Sequence, residues 1–219
     1  MARRTKADAQ ATRAGLLDAA EHLFQSRGVA RTSLNDIALA AGTSRGAIYW
    51  HFKDKADLFN AMMERVTLPL EQTLALADLE DVHAPVARLR HALLQALRLI
   101  ACDEQTQRVL LIATHKVEFT EELCAVQQRH QRSQDAVLLY MQTALSAAFS
   151  WQEKAPPVPL EAAAGGLQML IEGLVHQWLP DPEAFGLVET GASVLDIYLA
   201  GLGLVAPLTT LSTSAAQSS

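Results

Sequence analysis

The sequence predicts an all-α protein, and three observations carry that prediction. No stretch sustains the alternation of β-branched or aromatic residues with polar ones that a half-buried strand requires. Ala, Leu, Gln, Glu and Arg dominate instead, and these residues favour helix. Apolar side chains recur three and four positions apart through most of the chain, the spacing of one helix face. About nine helices are expected.

The elements follow in order. Between Asp8 and Arg27, residues Leu16, Ala19, Ala20, Leu23 and Phe24 form one helical stripe, and Gly28 is placed to cap the C-terminus. Ser33 can cap the next helix, with Asp36 three residues on completing an acid-variant capping box. Leu34, Ile37, Ala38 and Ala41 supply its apolar face, and Gly42 ends it. Ser44 can cap a third helix running to about Trp50. A fourth opens at Asp54 or Lys55, and Pro69 is expected to interrupt or kink it. Longer helices then follow up to "KAPPVP" at 154–159, whose three prolines mark a linker. Two last helices, about 160–179 and 185–204, are separated by "PDP", and the small polar tail "TTLSTSAAQSS" is expected to be disordered.

Composition narrows the function classes. Half of the 219 residues are hydrophobic and 19% are charged, which excludes a disordered chain and is enough for a large core. The basic opening "MARRTK" has no apolar segment behind it, so no secretory signal is read. The apolar stretches 160–179 and 191–208 carry Glu161, Glu172, His176 and Asp196, so they read as buried helices of a soluble protein rather than membrane spans. Cys102 and Cys124 are too few for a disulfide scaffold and have no CxxC partner. They are expected to be buried, inert thiols in a cytoplasmic protein. His115, Lys116 and Glu118 resemble a metal cluster only superficially, and neither metal nor cofactor is expected.

Net charge is −6 overall, but it is unevenly spread. Residues 1–55 hold nine Lys/Arg against five acids, net +4, leaving −10 on the remainder. A basic end on an acidic body is the asymmetry of a chain whose one end meets a polyanion.

The stretch "GTSRGAIYWHF" at 42–52 poses the functional choice. Gly42-Thr43-Ser44-Arg45-Gly46 spells G-x-S-x-G, the serine-hydrolase elbow, which needs a buried strand before the serine. "SLNDIALAA" is a capped amphipathic helix, so the enzyme reading fails. A helix-turn-helix reading explains each position. Gly42 supplies the positive φ of a tight turn, and Thr43 and Ser44 offer hydroxyls and N–H groups at a helix N-terminus that suits a phosphate. Arg45 opens the recognition helix and can reach a guanine edge or a phosphate. Gly46 and Ala47 keep that face slim, while Ile48 and Phe52 turn toward the helical core. Tyr49 and Trp50 offer rings at the surface, and His51, Lys53 and Lys55 can meet the DNA backbone. Thr32 and Ser33, at the start of the preceding helix, join this DNA-facing set, as do Arg3, Arg4 and Lys6 of the basic arm.

Residues 12–59, "TRAGLLDAAEHLFQSRGVARTSLNDIALAAGTSRGAIYWHFKDKADLF", closely resemble the N-terminal domain of TetR-family transcriptional repressors. "MARRTK" and "GAIYWHF" look like the subgroup of AcrR- and TtgR-like regulators of multidrug efflux. The resemblance implies an all-α homodimer that binds operator DNA and is released by a lipophilic, drug-like inducer. A DNA-binding domain would span 1–55, with a connecting helix to about 68, and a ligand-binding and dimerisation domain 69–207. The last two helices would form the dimer, and no membrane is involved. A regulator of metabolic or quorum-related genes is the alternative within the same fold. "HKVEFTEELCAVQQRHQ" (115–131) and "IEGLVHQWL" (171–179) extend the resemblance more weakly. They imply Leu110, Thr114, Ile171, Glu172, Leu174 and His176 as pocket residues. The chain departs from the TtgR-like pattern at Leu110, Thr114 and His176, which changes the hydrogen bonding of that pocket. On its residues alone, Glu172 either pairs with His176 one turn on or meets a cationic or hydrogen-bonding ligand.

Overall fold

The computed structural model describes residues 6–77, 84–117 and 124–204. Arg3, Arg4, Glu118 and the C-terminal tail lie outside the described residues. Nine helices and no strand are found among the described residues: α1 (Lys6–Arg27), α2 (Leu34–Ala40), α3 (Arg45–His51), α4 (Lys55–Ala77), α5 (Pro85–Cys102), α6 (Glu104–His115), α7 (Cys124–Trp151), α8 (Leu160–Trp178) and α9 (Leu187–Gly201).

Their bounds follow from local chemistry. Ser33 caps α2, its hydroxyl accepting from the Asp36 N–H while the Asp36 carboxylate accepts from the Ser33 N–H. The Ser33 hydroxyl donating to Asp36 Oδ2 at 2.6 Å, and then the Ser33 N–H, hold the Asp36 carboxyl below its usual range. Gly42, at φ +65°, closes α2: its N–H bonds to the Leu39 carbonyl and that of Thr43 to the Ala38 carbonyl, a Schellman end that needs the left-handed conformation.

Two cores organise the chain. The first, which we call the head core, joins Leu16, Leu17, Ala20 and Phe24 of α1 to Ile37 of α2, Ile48 of α3 and the flanking Phe52. It continues into Leu58, Phe59, Met62 and Val66 of α4, and Phe24 meets Phe59 at 6.1 Å between ring centres. Val109 and Ile112 of α6, both fully buried, complete it. The second, or body, core packs α5, α7, α8 and α9 around Leu89, Leu93, Leu97, Leu145, Leu167, Leu195 and Leu199. α9 lies so close to α5 that a Cβ on Gly191 would collide with the Leu97 side chain. Arg90 of α5 grips Asp196 of α9 through two hydrogen bonds, 2.6 and 2.8 Å, and its guanidinium holds that carboxyl below the usual range.

Pro69 neither ends nor interrupts α4, which runs unbroken through it from Lys55 to Ala77. A proline inside a helix costs about 3 kcal/mol. Here both halves are held by packing: Met62 and Val66 in the head core, Leu70 and Leu74 against the body core. Cys102, expected to be buried, is exposed at the end of α5. It closes the helix just before Asp103, the N-cap of α6, where the chain turns at the surface.

Candidate functional site

The turn between α2 and α3 aims one short helix outward. Ser44 caps α3 with extended backbone, its Oγ accepting from the Ala47 N–H at 3.2 Å. Ile48 and Phe52 are fully or almost fully buried and anchor α3 to the head core. With that side fixed, the opposite side must face solvent. Ser44, Arg45, Gly46, Tyr49 and Trp50 are exposed and Thr43 half-buried, with Tyr49 at 50% and Trp50 at 74% of their full exposure. Two adjacent aromatics left bare on a seven-residue helix are not serving a core.

The face is partly ordered by its own contacts. The Arg45 guanidinium lies 5.8 Å from the Tyr49 ring centre one turn on, a cation–π pair that keeps the side chain along the helix. Trp50 meets His51 edge-on at 4.7 Å. Lys53 is exposed, and its N–H bonds to Asp57 Oδ2 at 2.9 Å. Ser33 is exposed at the neighbouring helix start, and Lys6 is exposed at the first residue of α1. Arg13 of α1, which the sequence reading overlooked, stacks its guanidinium over Phe52 at 5.1 Å and adds a cation beside the end of α3. Its signal was helical phase: three residues before Leu16 and seven before Ala20, it continues the face of the α1 stripe toward the N-terminus.

Two members of the predicted DNA-facing set turn inward. Lys55 is only 7% exposed, and its Nζ donates to the Ala30 carbonyl at 3.4 Å. Thr32 is 1% exposed, its hydroxyl donating to the Gly28 carbonyl at 2.8 Å. Both side chains bridge the loop after α1, so their polar groups tie the head together rather than face outward. Ser44 likewise sits between two helices with its hydroxyl engaged as a cap, with no strand behind it to form a nucleophile elbow.

The residues singled out as pocket-lining divide into two sets. Leu110 of α6 is half-buried and packs against both cores, and Ile171 and Leu174 of α8 pack against the body core. Thr114, Glu172 and His176 are exposed. Glu172 is therefore not a buried carboxylate, and the pairing considered with His176 is replaced by other partners. Glu172 accepts from Gln168 Nε2 at 2.7 Å, on a side chain that also reaches the Gln134 carbonyl of α7 at 3.3 Å. His176 instead stacks on His115 of α6, ring centres 4.2 Å apart and planes 17° from parallel. Thr114 Oγ1 donates to the Leu110 carbonyl and lies 2.7 Å from His115 Nδ1. Desolvation, then the neighbouring His176 and Lys116, push the His115 imidazole below its ordinary value. Of these contacts the His115–His176 stack is the one that joins α6 to α8, while Glu172 is turned toward α7 through Gln168. A separate recess of about 220 Å³ opens between α5 (Pro85, Arg88, Leu89) and α7 (Tyr140, Thr143, Ala144), and none of the six lines it.

Among the described residues no group of three or more His, Cys, Asp or Glu side chains is placed to hold a metal ion, and no helix is long and apolar enough to cross a membrane.

Comparison with known proteins points the same way as this geometry. Residues 16–62 match the family described as bacterial regulatory proteins, tetR family, and residues 84–203 match the C-terminal region of MAATS-type transcriptional repressors. The HTH-type transcriptional regulator TtgR of Pseudomonas putida is 36% identical over 202 residues, covering 89% of this chain and 96% of that protein. Among solved structures, NalD, described as the secondary repressor of the MexAB-OprM multidrug efflux pump in Pseudomonas aeruginosa, superposes with a TM-score of 0.80 at 35% identity, covering 90% of this chain and 98% of that one. SmeT, described as the repressor of the Stenotrophomonas maltophilia multidrug efflux pump SmeDEF, superposes with a TM-score of 0.75 at 33% identity, covering 92% of this chain and 96% of that one. SmeT has also been solved as a complex with triclosan.

Proposed function

The chain belongs to the TetR family of bacterial transcriptional regulators, and on that premise we propose that it is a ligand-responsive repressor of a multidrug efflux operon. The observation that carries this reading is α3: a capped helix anchored by Ile48 and Phe52, presenting Ser44, Arg45, Gly46, Tyr49 and Trp50 outward from the more basic end of the chain. Such a face enters a major groove with Arg45 at a base edge or phosphate, and the Ser44 and Thr43 hydroxyls at the backbone. A homodimer formed through α8 and α9 sets two such helices about one helical turn of DNA apart, on a palindromic operator. Met169 of α8 and Ile197 of α9, 69% and 72% exposed in the single chain, support that assembly because side chains of this size gain most from being covered.

A lipophilic effector bound along α6 and α8, near Leu110, Thr114, Ile171, Leu174 and His176, changes the spacing of the heads and releases the operator. The efflux repressors NalD and SmeT, alike over almost the whole chain, support the choice of target and of effector class. By linkage, operator DNA weakens the effector as much as the effector weakens operator binding. The test is selection of bound duplexes from the fragmented genome of the source organism, followed by fluorescence-anisotropy titration of the recovered site with and without triclosan. A palindromic site upstream of an efflux operon, bound at nanomolar concentration and released by triclosan, is the expected result. Recovery of no preferred sequence overturns the reading.

A further inference from the structure

One buried acid is not used by the DNA-facing surface or the effector region. Glu21 lies on α1 at 2% exposure, flanking the stripe formed by Leu17, Ala20 and Phe24. Two further helices bring partners to its carboxylate. Arg65 of α4 places Nη1 3.2 Å from Oε1 and, with the same nitrogen, bonds Asp18 at 2.6 Å. Its Nη2 donates to the Ala14 carbonyl. From α6, Gln105 donates to Oε1 at 2.9 Å, and Arg108 Nε stands 3.5 Å from Oε2. A carboxylate so enclosed is stable only while its partners stay in place, because removing one leaves charge in a dry site.

The partner helix from the body, like α4, contributes to both cores. α6 inserts Val109 and Ile112 into the head core, while Leu110 and Leu111 pack against the body core. Its C-terminal end also touches the head, the Lys116 carbonyl accepting from the Val29 N–H at 3.2 Å. The apolar part of this contact is non-directional and tolerates sliding. The Gln105 hydrogen bond to Glu21 is directional. With the Arg108 charge, whose buried Nε stands 3.5 Å from Oε2 and makes no hydrogen bond among the described residues, it defines one register of α6 against α1.

We propose that the cluster of Glu21, Arg65, Gln105 and Arg108 is the latch that couples head orientation to the state of the body, with Glu21 as its positioning residue. This rests on the reading of the chain as an effector-responsive repressor. Leu110 and Thr114, on the same helix as Arg108, are where an effector would press. A shift of α6 carries Gln105 and Arg108 off the carboxylate, while Arg65, on α4, remains. Interfaces of this kind are bistable rather than continuously deformable, so the latch converts a small displacement at the effector region into a change of head position. It makes no contact with DNA or effector and acts through α1 and α6.

The experiment compares wild type with Glu21→Gln and with Arg108→Gln, the second keeping the Glu21–Arg65 pair so that folding is preserved. Head-to-body distance within one chain is read by spin labels at Ser26→Cys on α1 and Ser150→Cys on α7, in a Cys102→Ser, Cys124→Ser background diluted with unlabelled protein. Operator affinity is read with and without triclosan, and triclosan binding by calorimetry. Both variants are expected to broaden the distance distribution. Their ratio of operator affinities without and with triclosan should fall at least about fivefold toward one, while triclosan binding stays within about twofold of wild type. A purely structural role would lower the melting temperature and leave both the distances and the ratio unchanged, and that result overturns the proposal. Should wild type bind no operator, the repressor reading fails, yet the distance distributions still judge the latch: overlap of all three refutes it.

Discussion

Ser44 offers the sharpest test of the outward face, because its two roles can be separated by substitution. Its Oγ accepts one hydrogen bond, from the Ala47 N–H at 3.2 Å, at the start of a helix only seven residues long. Removing an N-cap hydroxyl costs about 1 kcal/mol. For a chain of this size that corresponds to a melting temperature lower by about 2–4 °C. Ser44→Ala should therefore melt earlier and bind operator somewhat more weakly. Ser44→Asp separates the effects. Aspartate caps as well as serine, and its charge is favoured at a helix N-terminus, so the free protein should melt at or above wild type. Against DNA the same carboxylate, about 5 Å from a phosphate at an effective dielectric near 20, meets a repulsion of about 3 kcal/mol before salt screening. Circular-dichroism melting and anisotropy titration on the operator duplex read the two quantities. The expected pattern is a stable Ser44→Asp protein whose operator affinity has dropped more than about tenfold, most steeply at low salt. Wild-type affinity in Ser44→Asp would refute the placement of this helix start at the DNA backbone.

Further expectations follow from the same geometry. Arg45→Ala should weaken operator binding by about 1–3 kcal/mol while leaving the melting temperature near wild type, since its Tyr49 contact is exposed; unchanged affinity in a gel-shift titration counts against a groove contact. Lys55→Met should lower the melting temperature but leave the salt dependence of operator binding unaltered, because the ammonium is turned toward Ala30; a slope reduced by about one would show it reaching a phosphate. His115 has its folded-state value pushed below the ordinary 6.5, so the folded protein resists a proton that the unfolded chain accepts. Its contribution to stability is whole above that value and drains as pH falls from 6.5 through the folded-state value; melting from pH 7.5 to 5.5 should show a smaller loss in His115→Gln than in wild type. A fragment ending at residue 68 should lack a cooperative melt, since Val109 and Ile112 complete the head core from outside it; a sharp transition near that of the whole protein would contradict this.

What could be read in the sequence, and what could not, divides along the range of the interactions. The Ser33–Asp36 box, the Gly42 turn, the Ser44 cap and the inward phase of Ile48 and Phe52 depend on neighbours within about five residues, and one-dimensional spacing suffices for them. Lys55 was misread because its acceptor lies 25 residues earlier, across a loop whose path spacing does not reveal. Glu172 looked buried because its helix is apolar in composition, yet exposure is decided by which face the neighbouring helices cover, and α7 and α9 leave that one open in the single chain. Pro69 does not interrupt α4 as expected, because propensity is local while the packing that overrides it reaches two separate cores. Glu21 flanks the α1 stripe rather than falling within it, and its burial comes from partners on α4 and α6 that spacing along the chain does not reveal.

The same long-range contacts explain why a regulator of this kind does not keep a self-sufficient head. A head with its own closed core would hold its shape whatever the body did, and a ligand could then alter only the tilt of a rigid unit. Here α4 and α6 each contribute to both cores, so the head core is finished by a helix that also packs against the body core. Any ligand that prefers one position of α6 necessarily prefers one arrangement of the head, and the coupling free energy is bounded by that difference in preference. Val109 and Ile112 supply the adhesion between the two parts, and it survives small movements. Glu21 supplies the register, which does not survive them. A contact built of both kinds can shift without coming apart, which a reversible switch requires.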